Sequence, residues 1–173
     1  MACLGFIGIG TMGAPMVHCL TRHGHTPVIF DANADAARAM ADEANLDVAA
    51  SLCEVGEACD VVILMLPNSK IVGDVCLGDG GLAQTLGQGS IVVDMSSSDP
   101  IETRKLGADL SKRGIVLLDA PVSGGLRKAV AGTLAIMLGG DDAAAMDRVE
   151  PLLESMGKVY RAGSLAAGHA TKA

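Results

Sequence analysis

Apolar and polar positions alternate along this chain in blocks, and each block has a length that suits one kind of element. The six apolar residues at 61–66 run without alternation. That pattern belongs to a central parallel strand covered on both faces, since a half-wet strand would alternate. Further strands are predicted at 4–9, 26–30, 90–95, 115–118, 134–138 and 158–161, with a short one at 47–49. Helical spacing fills the intervals. One helix is predicted over 14–22 with Pro15 in its first turn, and one over 34–44 behind Asn33 as cap. Ser51 with Glu54 has capping-box spacing and opens a helix to about residue 58. Others are predicted over 69–77, from Pro100 to near 114, and from Asp141 as cap to about 156. Glycines at 78, 80 and 81 mark a loop, and a last helical segment begins near 163.

Strands alternating with helices, without repeats or a low-complexity linker, predict an α/β fold. Its architecture is a doubly wound, mostly parallel Rossmann-type sheet with right-handed crossovers. Ligands of such sheets bind outside the carboxyl ends of the strands. Here those ends carry residues 8–13, Asp31, residues 66–68, 96–98 and the 119–125 loop.

The first of these segments is a G-x-G-x-x-G: Gly8, Gly10 and Gly13, with Thr11 and Met12 between, placed between a predicted strand and a predicted helix. In such a turn the first glycine permits the bend, the second admits a pyrophosphate, and the third lets helix and strand approach. The helix N-terminus adds free N–H groups and the positive end of its dipole. Asp31 ends the next predicted strand, 18 residues beyond Gly13. A carboxylate there accepts hydrogen bonds from both adenosine ribose hydroxyls and repels a 2′-phosphate. No Arg or Lys follows before Arg38, so NAD is favoured over NADP.

Composition narrows the picture. Half the residues are apolar, but there are only one Tyr, two Phe and no Trp, so the core is expected to be aliphatic. A net charge of −7 disfavours nucleic acid and anionic membranes as partners. Cysteines at 3, 19, 53, 59 and 76 lack the spacing of a metal site or disulfide framework, and read as reduced thiols of a cytoplasmic protein. No signal-type segment or membrane-length apolar run is present. The four histidines, at 18, 23, 25 and 169, are scattered.

Two further segments suggest chemistry. Ser123-Gly124-Gly125 follows a predicted strand and offers a hydroxyl and two unhindered N–H groups, suited to a carboxylate or phosphate. The same triplet also serves elsewhere as a plain flexible turn. Lys172 is a lone cation after a run of small residues, 163–171, that carries no other charge. A terminal lysine is usually a solvated charge, while small neighbours let a ligand come close.

Taken together, these segments resemble a known family. Gly-Phe-Ile-Gly-Ile-Gly-Thr-Met-Gly-Ala-Pro-Met at 5–16, Ile-Leu-Met-Leu-Pro at 63–67, Val-Asp-Met-Ser-Ser at 93–97, Asp-Ala-Pro-Val-Ser-Gly-Gly at 119–125, Gly-Thr-Leu-Ala-Ile-Met at 132–137 and Gly-His-Ala-Thr-Lys at 168–172 occur in that order. The whole chain resembles the β-hydroxyacid dehydrogenases, among them 3-hydroxyisobutyrate, L-threonate and 6-phosphogluconate dehydrogenases and tartronate semialdehyde reductase. The resemblance implies that Gly8, Gly10, Thr11, Met12 and Gly13 hold the pyrophosphate, Asp31 the ribose, Leu66 and Pro67 the middle of the cofactor, and Ser97 the nicotinamide side. Ser97 stands where the family more often has Thr. It implies Ser123, Gly124 and Gly125 for the substrate carboxylate and Lys172 as catalytic base, with no metal.

Two departures from the family bear on these expectations. After Ser-Gly-Gly this chain has Leu126-Arg127-Lys128-Ala129, closer to the sugar-acid branch, where Arg127 or Lys128 either touches a polyhydroxy acid or faces solvent. The family also continues past the lysine into an Asn one turn later, a long helix and an all-helical second domain. The chain therefore reads as a dinucleotide-binding domain, 1–162, with residues 163–173 as a truncated start of the interdomain helix. The activity implied is NAD-dependent hydride transfer on a small 3-hydroxy acid, by an enzyme expected to form a homo-oligomer when full length. A non-catalytic dinucleotide-binding module is the alternative, and an imine-reducing relative is disfavoured because that branch usually lacks the lysine.

Overall fold

In the computed structural model, which describes residues 3–173, β1 (Leu4–Ile7) lies between β2 (Val28–Phe30) and β3 (Val61–Leu64). Beyond β3 come β4 (Ile91–Asp94) and β5 (Val116–Asp119), and all five strands run parallel. The register places Phe6 beside Ile29 and Ile63, and Val93 beside Ile63 and Leu118. Helices α1 (Gly13–Arg22), α2 (Ala34–Ala44), α3 (Leu52–Ala58), α4 (Ser69–Leu77) and α5 (Pro100–Ser111) follow the order that the periodicity predicts.

Each central strand contributes to two apolar layers at once. Phe6, Ile63 and Val93 pack with Met16, Leu20 and Met40 on the α1–α2 side. Ile7, Val62, Leu64 and Val92 pack with Val55, Val72, Leu106 and Leu110 on the α3–α5 side. This two-sided burial is why the strands read as unbroken apolar runs, and each large buried side chain contributes about 1.5–3 kcal/mol. The core is aliphatic as composition predicts, with Phe6 as the buried aromatic.

The helices start where their caps direct. Asn33 Oδ1 accepts from Asp35 N and Ala36 N, Ser51 Oγ from Glu54 N, Asn68 Oδ1 from Ile71 N, and Asp99 Oδ1 from Ile101 N with Pro100 at the first position. The Glu54 carboxylate reaches back to Ala50 N at 2.7 Å, one residue beyond the usual partner in a capping box.

The second half departs from the sequence-based expectations in several places. Segment 47–49 is not a strand but a single bridge from Val48 to Ile29. The cap of α7 (Ala143–Glu154) is Asp142, whose Oδ1 accepts from Ala145 N; the expected Asp141 accepts from Leu165 N instead. Two adjacent aspartates are equal cap candidates until the backbone direction is known. The expected loop after Asp119 contains β6 (Val122–Ser123) and α6 (Gly125–Ala131). Helix α5 stops at Ser111, and a turn of 3-10 helix, Leu82–Gln84, lies beyond the 78–81 glycines.

Strands β1–β5 form an unbroken parallel run, and the direction reverses beyond it. β7 (Leu134–Gly139) runs antiparallel to both β5 and β6, which share one of its edges in a single register: Asp119 opposite Gly139, Val122 opposite Ile136. The ladder breaks between them at Pro121, which has no N–H to donate, although its carbonyl still accepts from Met137 N. β8 (Gly157–Gly163) pairs parallel with β7 and leads into α8 (Ala167–Lys172). Among the described residues no helix is long and apolar enough to cross a membrane.

Candidate functional site

The turn from β1 to α1 separates its three glycines by what surrounds them. Gly8 has φ +104°, and a Cβ there would run into Met65 O. A Cβ on Gly13 would run into Gly8 O, so this glycine sets the closeness of helix to strand. Gly10 has no heavy atom within 4 Å of where a Cβ would stand; the space beside its backbone is open.

Helix α1 also lacks what five other helices have. No side chain caps its N-terminus and no acidic residue lies in its first turn. Helices α2, α3, α4, α5 and α7 are all capped by Asn, Ser or Asp. The N–H groups and positive dipole end at α1 are thus left for an anion.

Asp31 closes this turn from β2. Its Oδ2 accepts from Ile9 N at 2.6 Å and its Oδ1 from Asn33 N at 2.7 Å, which holds the half-buried carboxylate in one place. A cleft of about 440 Å³ follows, lined by Gly8, Gly10, Thr11, Met12, Gly13, Asp31, Leu66 and Pro67 together with Ala32, Met65 and Ile71. Eight residues expected from sequence to hold the cofactor therefore share one cleft. A second hollow of about 420 Å³ shares Asp31 and Ala32 and extends to Arg38, whose guanidinium pairs with Asp35 at 3.3 Å.

Ser97 and Lys172 meet beyond the end of β4. Lys172 Nζ donates to Ser97 Oγ at 2.7 Å, and partial desolvation lowers the lysine below its ordinary pKa. Behind them is a buried polar cluster. His169 is 2% exposed; its Nε2 lies 3.0 Å from Ser96 O and its Nδ1 2.9 Å from Thr103 Oγ1. Asp119 accepts from Ala166 N and His169 N, the start and first turn of α8, while Asp94 accepts from Ser96 N and Ser98 Oγ. Ser96 Oγ accepts from Leu66 N at 2.8 Å, which joins the ends of β3 and β4.

Sequence reading did not single out His169, Asp94 or Asp119 as site residues. A signal was present for the aspartates: each interrupts an apolar run at the last position of a strand, where burial demands hydrogen-bond partners.

Ser123, Gly124 and Gly125 are exposed at the junction of β6 and α6, not in an open loop. Gly124 has φ +134°, and the Lys128 stem folds over it. Ser123 Oγ has no hydrogen-bond partner among the described residues, and no hydrogen bond joins this triplet to Lys172 or Ser97. Arg127 and Lys128 are exposed and form no ion pair among the described residues. Nor do three or more His, Cys, Asp or Glu among the described residues come together as a metal cage.

The chain is similar to known proteins in both sequence and fold. The family model for the NAD binding domain of 6-phosphogluconate dehydrogenase matches residues 3–165. NAD-dependent L-serine dehydrogenase of Pseudomonas aeruginosa is 40% identical over 173 residues, covering 99% of this chain and 57% of that protein. 3-Sulfolactaldehyde reductase of Escherichia coli K12 is 37% identical over 157 residues, covering 91% of this chain and 52% of that protein. The solved structure of Mycobacterium tuberculosis 3-hydroxyisobutyrate dehydrogenase with L-serine superposes with a TM-score of 0.90 at 36% identity, over 99% of this chain and 58% of the other. The chain spans about half the length of the curated relatives it matches.

Proposed function

The chain belongs to the family of the NAD-binding domain of 6-phosphogluconate dehydrogenase, and we propose that it is the cofactor-binding and proton-transfer half of an NAD-dependent 3-hydroxyacid dehydrogenase. The observation that carries this reading is the Lys172–Ser97 hydrogen bond, at the same sheet edge as the dinucleotide cleft. A module that only bound a nucleotide would have no use for a partly desolvated amine there.

The residues present fit a dinucleotide. The uncapped α1 and the open space at Gly10 suit a pyrophosphate, and the fixed Asp31 carboxylate suits a ribose diol and opposes a 2′-phosphate, which favours NAD over NADP. When bound, the nicotinamide accepts a hydride in oxidation and donates one in reduction. Lys172 Nζ, as the neutral amine, takes the substrate hydroxyl proton during oxidation and returns it during reduction, a step worth about 10²–10⁴ in rate. Ser97 Oγ orients that amine. Ser123, Gly124 and Gly125 bind the substrate carboxylate, with Arg127 and Lys128 nearest in sequence to extend the contact.

Residues 163–173 begin the connection to a second, helical domain that completes the pocket, with the boundary placed at 162, where β8 has one residue left to run before the turn into α8. Exposed Leu126 and Val130, one turn apart on α6, support burial of this face in the complete enzyme and its assembly as a homo-oligomer. The five free thiols suit a reducing compartment such as the cytoplasm.

The test is to express the complete gene and follow nicotinamide absorbance with NAD and a panel of 3-hydroxy acids, including 3-hydroxyisobutyrate, L-serine and L-threonate. Turnover that disappears in Lys172→Ala with dinucleotide binding retained supports the reading. Tight dinucleotide binding without turnover on any 3-hydroxy acid or matching semialdehyde overturns it.

A further inference from the structure

His169 and Lys172 stand three positions apart on α8, so what fastens this helical turn to the sheet also sets where the Lys172 amine lies. The fastening is concentrated at one residue, three positions before the lysine. Resting on the dehydrogenase reading above, we infer that His169 is the positioning residue of Lys172: its imidazole ties α8 to the strand end that carries Ser97 and so keeps the lysine amine at the Ser97 hydroxyl.

The connections form a closed ring. His169 Nε2 lies 3.0 Å from Ser96 O, the carbonyl directly before Ser97. A carbonyl only accepts, so Nε2 carries a proton and donates. One turn later Lys172 Nζ donates to Ser97 Oγ at 2.7 Å. The chain segment 96–97 and the helical turn 169–172 are thus held together at both ends. The other ring nitrogen, Nδ1, meets Thr103 Oγ1 of α5 at 2.9 Å.

The groups facing the imidazole come from three elements. Asp94 Oδ2 of β4 lies 3.7 Å from Nε2, Asp119 Oδ2 of β5 lies 3.7 Å from Nδ1, and Thr103 approaches from α5. All are nearly out of contact with water. Asp119 also accepts from the backbone N–H groups of Ala166 and His169, so the carboxylate that holds the start of α8 also faces the ring. A Cβ on Gly168 would run into Met137 O, which leaves α8 no room to shift toward β7. Removal of the ring leaves Ser96 O short of a donor, while Thr103 Oγ1 keeps its bond to Asp99 O, and water or movement of α8 must make up the difference at Ser96. Either change loosens the hold on the Lys172 amine at Ser97 Oγ.

The experiment uses the 173-residue chain with ¹³C-labelled lysine and no hydroxy acid, so that it is read apart from the catalytic reading. The Lys172 Cε resonance, assigned through Lys172→Arg, is followed against pH in the unaltered chain, His169→Gln, His169→Ala and Thr103→Val. Melting and ADP-ribose affinity report on the fold and the dinucleotide cleft. Lys172 is expected to titrate below the other lysines in the unaltered chain and to move up toward them in His169→Ala, with ADP-ribose affinity changed by no more than about twofold. His169→Gln, whose amide still donates to Ser96 O, is expected to keep the low midpoint. A long-range ¹H–¹⁵N spectrum is expected to show His169 protonated at Nε2. If His169→Ala does not fold, Thr103→Val takes its place, and its Lys172 midpoint is expected to rise part of the way. A folded His169→Ala, or failing it Thr103→Val, in which Lys172 titrates as in the unaltered chain overturns the inference, as does an unprotonated Nε2. Full-length enzyme inactive on hydroxy acids would overturn the proposed function and leave this coupling standing.

Discussion

Lys172 Nζ donates to Ser97 Oγ across 75 positions of sequence, which joins the last helix to the end of the fourth strand. In the proposed mechanism the lysine acts through its amine and the place where that amine is held. In the complete enzyme, Lys172→Ala is expected to lower kcat by about 10²–10⁴ with little change in dinucleotide affinity. Ser97→Ala keeps the amine but loosens it, so a smaller loss is expected. Steady-state kinetics with NADH titrations check both.

The pH dependence follows from the direction of the Lys172 shift. Desolvation disfavours its charged form, so the neutral amine appears at lower pH than for an ordinary lysine. Lys70 and Lys105 go the other way: the hydrogen bond and charge of Asp74 raise the first, those of Glu102 the second. The rate of hydroxy-acid oxidation is expected to rise with pH and level off below the pH at which Lys70 and Lys105 lose their protons. A pH–rate profile beside a lysine NMR titration measures this.

Gly10 and Gly13 separate binding from folding. Gly10→Ala places a methyl in open space, so its melting temperature is expected to stay within about 2 °C of the parent, a change of under 0.5 kcal/mol, while dinucleotide affinity falls because the methyl occupies phosphate space. Gly13→Ala pushes a methyl into Gly8 O and is expected to cost about 1–3 kcal/mol of stability as well. Thermal melts paired with NADH titrations distinguish the two.

Asp31→Ser removes the fixed carboxylate beside the ribose position. A hydrogen bond to a charged group is worth about 1.5–3 kcal/mol, so NADH affinity is expected to fall about tenfold or more, and the preference over NADPH to shrink. Competitive titration with the two nucleotides gives the ratio directly. NADPH binding tighter than NADH in the unaltered chain would contradict the role given to Asp31.

Burial pushes the Cys76 thiol up to about 12, and Cys59 is raised as well by burial and its contact with Cys3. Cys76 is expected to resist thiol reagents in the native protein and to react only after denaturation. Thiol counts taken with and without denaturant test this.

Short stretches of the chain carry much of the fold. The glycine turn, the caps at Asn33 and Ser51, and the central strands are written in neighbouring residues, because capping, turn geometry and two-sided burial act within a few positions. The eight residues that share the cleft were legible for the same reason, since each sits beside a strand end. Strand direction at the far edge was not: an apolar run reads the same in both directions, and only pairing with β5 and β6 turned β7 around. The choice of Asp142 over Asp141 and the helix at 125–131 likewise depended on where the chain had already been placed. His169 shows the limit most plainly. In sequence it is one histidine among small residues. Its meaning arises only when β4, β5 and α5 bring Ser96, Asp94, Asp119 and Thr103 around it, contacts between 50 and 75 positions apart that no local pattern encodes.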